Sequence, residues 1–131
     1  MRRQFDLPPE EVGGFASLYL DWETLRENGK DWLLIHGFPV PTGYNVNVVD
    51  LAVQIHPGYP RVQLDMVYVF PVLSLVSGRG IPAVQGLESI DNRVFQRWSR
   101  HYVWDPMRHN IAIHLQFAGE WFERELTRAA A

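Results

Sequence analysis

From Trp22 to Val69, hydrophobic and polar positions trade places over short runs separated by turn residues, which predicts consecutive strands rather than helices. Trp22 to Glu27 and Lys30 to Ile35 flank Asn28-Gly29, a pair that accepts the left-handed backbone of a tight turn, so they predict a β-hairpin. Phe38-Pro39-Val40-Pro41-Thr42-Gly43-Tyr44 interrupts the pattern, and Asn45 to Ile55 then alternates as a third strand. His56-Pro57-Gly58-Tyr59-Pro60 reads as a turn, and Val62 to Val69 has the β-branched and aromatic content of a fourth strand. Upstream, Leu7-Pro8-Pro9-Glu10-Glu11-Val12 places prolines and acids where a helix N-terminus tolerates them. It predicts a short helix that Gly13-Gly14 ends or interrupts. Downstream, Ile111, Leu115, Ala118, Trp121, Phe122 and Leu126 recur at helical spacing, behind Asp105-Pro106 as N-cap and first turn. Between strands and final helix, Pro71 to Asn92 holds Gly78, Gly80, Pro82 and Gly86 with little periodicity. A long loop of that kind is where function concentrates. The expected class is α+β.

Composition narrows the partners. A chain of 131 residues, expected as one domain over 1–131, has seven Phe, five Trp and five Tyr from which to build a core. Its formal net charge of -3 offers no basic field for a phosphate backbone or an anionic bilayer, so neither nucleic acid nor membrane is an expected partner. No apolar run approaches the roughly 18–20 residues that cross a bilayer. The charges of Met1-Arg2-Arg3 have no apolar stretch behind them, so the start does not read as a signal peptide. The absence of cysteine excludes disulfides, thiolate metal sites and a cysteine nucleophile, and places the chain in the cytoplasm by default. His36, His56, His101, His109 and His114 show no HExxH spacing, so no metal and no cofactor are expected.

Particular residues carry a resemblance. Ile55-His56-Pro57-Gly58-Tyr59-Pro60, followed by Val62-Gln63-Leu64, resembles the Pro-x-x-Tyr-Pro turn between the third and fourth strands of ubiquitin-conjugating enzymes. Ser89-Ile90-Asp91, with Trp98-Ser99 beyond it, resembles their Cys-Leu-Asp segment and Trp-Ser pair, with serine at the nucleophile position. Together with Leu7-Pro8, Trp32-Leu33-Leu34-Ile35, Pro41-x-Gly43-Tyr44, Leu64-Asp65-Met66 and Gln96-Arg97-Trp98-Ser99-Arg100-His101, the pattern is similar to the prokaryotic ubiquitin-conjugating-like family E. The resemblance implies the ubiquitin-conjugating (UBC) fold: an N-terminal helix, a four-stranded antiparallel meander, a long active-site loop and a C-terminal helix. It implies a carrier step in the conjugation of a ubiquitin-like protein. The implied partners are a ThiF-type activating enzyme, reached through the N-terminal helix around Pro8 to Val12, the ubiquitin-like protein and an unknown target.

Two departures shape the expected chemistry. The family's His-Pro-Asn motif is replaced by Tyr68-Val69-Phe70-Pro71-Val72-Leu73, and the cysteine is absent. A serine hydroxyl is un-ionised at neutral pH, so a carrier using Ser89 would need a base to form its oxyester. The candidates are Ser89 as nucleophile, His101 as base and Asp91 as its orienter. Ser74 and Ser77 are lesser alternatives, and no Gly-x-Ser-x-Gly elbow is present. A competing alignment sets Gly78-Arg79-Gly80-Ile81-Pro82 on the nucleophile segment, putting Pro82 at the reactive position. The chain would then be catalytically inactive, and the loss of the asparagine and the cysteine likewise leaves open an inactive UBC-like module that presents a ubiquitin-like protein.

Overall fold

A computed structural model describes residues 1–19 and 21–130, with side chains through 128. A short helix, α1 (Pro9–Phe15), leads into the strands β1 (Trp22–Glu27), β2 (Lys30–Pro39), β3 (Val48–Gln54), β4 (Val67–Phe70), β5 (Leu87–Ile90) and β6 (Arg93–Trp98). A long helix, α2 (Ile111–Ala130), closes the chain. The strands form one sheet in the order β1-β2-β3-β4-β6-β5, every pair antiparallel. The expected meander is present as β1 to β4, but the sheet has six strands rather than four.

Of the two added strands, β5 comes from within Pro71 to Asn92, the segment expected to be loop, and β6 from the stretch directly after it. Asp91 and Asn92 both take positive φ, 53° and 60°, and make a two-residue turn between Ile90 and Arg93. Asp and Asn are among the few residues that visit this region at modest cost. The Asn28-Gly29 hairpin forms as expected, with φ of 51° and 74°. The third strand starts later than its alternation suggested, at Val48, because the Asn45 side chain is spent on the loop ahead. It donates to the Val72 carbonyl at 3.0 Å and accepts from the Ser74 N–H at 2.9 Å. The fourth is confined to Val67–Phe70: Leu64 is buried in the core, and Met66, at φ 57°, breaks the extended run.

Both helices also depart from expectation. α1 runs through Gly13-Gly14, because Phe15 is fully buried and Gly14 lies against α2, where a Cβ would sit 3.6 Å from that of Ala112. α2 starts at Ile111, capped by Asn110, whose Oδ1 accepts the Ile113 N–H at 2.9 Å. Asp105 instead caps a separate turn through the Met107 N–H at 3.0 Å.

Alternation along the strands makes two cores. Leu33, Ile35, Leu51, Val53, Val69 and Trp98 pack beneath Phe15 of α1 and Ile111, Leu115, Ala118 and Phe122 of α2. The opposite face carries Leu25, Trp32, Leu34, Ala52, Tyr68, Ile90 and Phe95, all buried although no helix covers them. Curling of the sheet covers them, and side chains join its two edges. The Asp91 N–H donates to Glu27 Oε1 at 2.7 Å, and Lys30 reaches Glu88 at 3.4 Å. The free edge of β1 is covered by the N-terminal segment, which exchanges Thr24 N–H to Arg2 O and Gln4 N–H to Thr24 O. Among the described residues no helix is long and apolar enough to cross a membrane.

Candidate functional site

Ser89 lies on β5 opposite Val94, exposed beside the equally exposed Leu87. Asp91, two residues on, occupies the hairpin turn, where its carboxylate is gripped by both terminal nitrogens of Arg2 at 2.9 and 2.7 Å. Arg2 turns its remaining donors on Glu23, at 2.9 and 3.2 Å. Glu23 accepts from His36 Nε2 at 2.7 Å, His36 Nδ1 lies 3.1 Å from Asp50 Oδ1, and Arg93 holds Asp50 at 2.6 Å. The result is one ion chain, Asp91, Arg2, Glu23, His36, Asp50 and Arg93, sewn across one end of the curled sheet.

The protonation states follow from the partners. An ionised carboxylate only accepts, so a carboxylate beside each His36 nitrogen favours the imidazolium form of the ring. Burial pulls the His36 pKa down, but the hydrogen bonds to Glu23 and Asp50 outweigh it and the net shift is upward. The Arg2 guanidinium holds Glu23, and likewise Asp91, below the usual carboxylate range. Asp91 is therefore committed to Arg2, and among the described residues it makes no hydrogen bond to a histidine.

His101 lies past the other end of β6. Ser89 pairs near the start of that strand, and the run from Val94 to Trp98 alone spans roughly 13 Å. Among the described residues no hydrogen bond joins Ser89, Asp91 and His101. The partner of His101 is Asp65, whose Oδ1 accepts from Nδ1 at 2.7 Å. This carboxylate precedes β4, in the segment that also carries the left-handed Met66, and no local spacing in the sequence pairs it with residue 101.

A second contact runs parallel to the first. Tyr102 donates to Nδ1 of the fully buried His114 at 2.6 Å, and His114 Nε2 donates to the Met66 carbonyl at 2.8 Å. Residues 65–66 are thus joined to residues 101–102 twice, once by the dyad and once through His114. A ring that accepts on Nδ1 and donates from Nε2 is a neutral one, and burial pulls the His114 pKa down in the same sense. Tyr102, Phe117, Glu120, Trp121 and Arg124 border a cleft of about 190 Å³ into which His101 opens.

The surface around α1 is partly committed to the fold. Glu11 accepts the Tyr59 hydroxyl and the Ile111 N–H, the latter at 3.0 Å, which caps α2 and fixes the Tyr59-Pro60 turn. Trp104 Nε1 donates to the Pro60 carbonyl at 2.9 Å and ties the same turn to the loop before α2. Of the two acids in the first turn of α1, Glu10 is the exposed one.

An antiparallel sheet with helices from both ends of the chain packed on one face is consistent with an E2-like α+β fold. The family model described as prokaryotic E2 family E matches residues 7–125, and the chain belongs to that family. No curated protein and no solved structure matches it. In general terms, membership supports a ubiquitin-conjugating-like role, with an activating enzyme and a ubiquitin-like protein as the kinds of partner involved.

Proposed function

We propose that the chain is an E2-like module that engages a ThiF-type activating enzyme and presents the C-terminus of a ubiquitin-like protein to an acceptor without itself being acylated on Ser89. The observation that carries this reading is that neither group expected to activate the serine is available to it, Asp91 because it is engaged and His101 because it is distant. Asp91 is held by Arg2 and His101 by Asp65, past the far end of β6 from Ser89. A hydroxyl without a base is too weak a nucleophile to sustain a carrier cycle. The second reading, an oxyester on Ser89, has in its favour that the residue is exposed on an outer strand of the sheet.

One experiment separates them. The protein is incubated with an activating enzyme, a ubiquitin-like protein and ATP, then run on a reducing gel. We expect no band shift on this chain, and the same result for Ser89→Ala. An adduct that survives thiol, is cleaved by mild hydroxide and is lost in Ser89→Ala would establish the oxyester instead. Engagement of the activating enzyme is tested by titration with Glu10→Lys, which should weaken binding if α1 is the contact surface. Glu11 is unsuitable as a probe because its carboxylate caps α2.

A further inference from the structure

We propose that Asp65 and His101 form an acid–base site, and that the cleft beside them takes a primary alkyl amine, the lysine class of acceptor, from which His101 Nε2 removes a proton as the amine attacks an activated acyl carbon. This deepens the reading above and rests on it for the acyl donor, a thioester or acyl adenylate of the activating enzyme's making.

The argument begins with the ring nitrogens. His36 gives both to carboxylates, and His114 uses both within the fold. His56 Nδ1 accepts the Gly58 N–H at 3.0 Å and His109 Nδ1 accepts the Asp105 N–H at 2.9 Å. A neutral ring whose Nδ1 accepts carries its proton on Nε2, so the outward nitrogen of these two is a donor. In His101 the order is reversed. A carboxylate lies on Nδ1, that nitrogen must donate, and the lone pair is left on Nε2 of a side chain that is 64% exposed. Of the five histidines, it is the one whose hydrogen bonds leave a basic nitrogen facing outward.

The cleft supplies a second, independent observation. At about 190 Å³ it is below the size of pockets that bury a nucleotide or cofactor, and it suits a single unbranched side chain. The rings of Tyr102, Phe117 and Trp121 offer apolar surface to an alkyl chain and the carboxylate of Glu120 an acceptor to an amine N–H, while Arg124 offers donors to an acyl oxygen. The double connection between residues 65–66 and 101–102 holds the dyad in place and stabilises Met66 in its left-handed conformation.

In the step itself the free-base amine nitrogen attacks the acyl carbon and a C–N bond forms. The bond from that carbon to the sulfur or oxygen of the leaving group breaks, and the electron pair departs with it. The nitrogen loses its proton to His101 Nε2, and the resulting imidazolium is held by Asp65 until water takes the proton away.

The test uses the full chain alone, with 4-nitrophenyl acetate as acyl donor and n-butylamine as acceptor. Nitrophenolate release and amide formation are followed together. We expect a rate that saturates in butylamine and that falls about 100-fold or more in His101→Gln, the low end for a positioned proton acceptor. Asp65→Asn should lower it too, Asp65→Glu should restore part of it, and His56→Gln should leave it unchanged. Nitrogen NMR shifts should place the His101 proton on Nδ1 in the native protein and move it to Nε2 in Asp65→Asn, a readout that loss of stability alone does not produce. A rate linear in butylamine, equal losses in His101→Gln and His56→Gln, or a His101 ring protonated on Nε2 in the native protein would each overturn the proposal. No activating enzyme or ubiquitin-like protein enters this assay, so the acid–base site can fail while the presenting role stands, and the reverse.

Discussion

Two acid–base pairs stand at opposite ends of β6. Before the strand, Asp91 is gripped by Arg2 and lies at the end of a chain of alternating charges that joins the edges of the sheet. Past it, Asp65 holds the Nδ1 of an exposed histidine. Both pairs put a carboxylate against a nitrogen donor at 2.7 Å, yet only the second leaves a nitrogen free to exchange a proton. Arginine stays protonated throughout the range where proteins work and has only donors to offer, so its pair can fasten but not titrate. Imidazole has two chemically distinct nitrogens, and fastening one sets the state of the other. The difference teaches that hydrogen bonding alone does not mark a reactive residue. What the partner leaves unengaged does.

The largest test removes what lies between the two ends. Trp98 is fully buried against Tyr44 and Phe122, with its indole N–H on Gln96. Trp98→Ala should cost about 3–5 kcal/mol in a urea melt, and both ends should loosen together. His114→Leu removes the buried connection at the far end, leaves the Tyr102 hydroxyl and the Met66 carbonyl unpaired, and should cost about 2 kcal/mol. Amine-dependent nitrophenolate release should fall with it, whereas the ion chain should stay intact. Arg2→Ala attacks the hairpin end. Because Arg2 is 43% exposed, the loss should be about 1 kcal/mol, with no change in aminolysis.

Smaller effects come from pH, with opposite signs at the two histidines. The folded pKa of His36 is raised, so its contribution is complete below the ordinary histidine value near 6.5 and is lost as pH rises through the raised value. The folded pKa of His114 is lowered, so its contribution is complete above that ordinary value and is lost as pH falls toward the lowered one. In melts at pH 6 and pH 8, His36→Gln should therefore cost more at the lower pH, and His114→Leu more at the higher. The smallest effect belongs to Ser89→Ala, which should change stability by no more than roughly 0.5 kcal/mol. A larger loss would mean that the hydroxyl has a structural partner and would blur the contrast between the ends.

Much of the framework could be read along the chain. The Asn28-Gly29 turn, the alternation of β1 to β3 and the apolar stripe of α2 are short-range patterns, set by residues a few positions apart, and they survive folding. Even so, β2 runs on through the Phe38-Pro39 expected to interrupt it, and β3 begins only at Val48. The family pattern was legible for a related reason, since turns such as Tyr59-Pro60 are local chemistry. The β5–β6 hairpin escaped because its Asp91-Asn92 turn lacks the glycine that usually announces one, and because exposed Leu87 and Val94 blur the alternation. The continuation of α1 through Gly13-Gly14 depended on Phe15 finding a core and on Ala112 arriving beside Gly14, neither of which its own neighbours encode.

The candidate site divides the same way. His101 stood out as a base from sequence, but its orienting carboxylate is 36 residues away rather than ten, and Asp91 was taken by a residue 89 positions upstream. Which nitrogen of a histidine holds its proton, and which carboxylate is left unengaged, depend on groups that only the folded sheet brings within 3 Å. Backbone preferences act over a few bonds and are therefore written in adjacent residues, whereas charge pairing acts through space and waits for the tertiary structure to choose the partner.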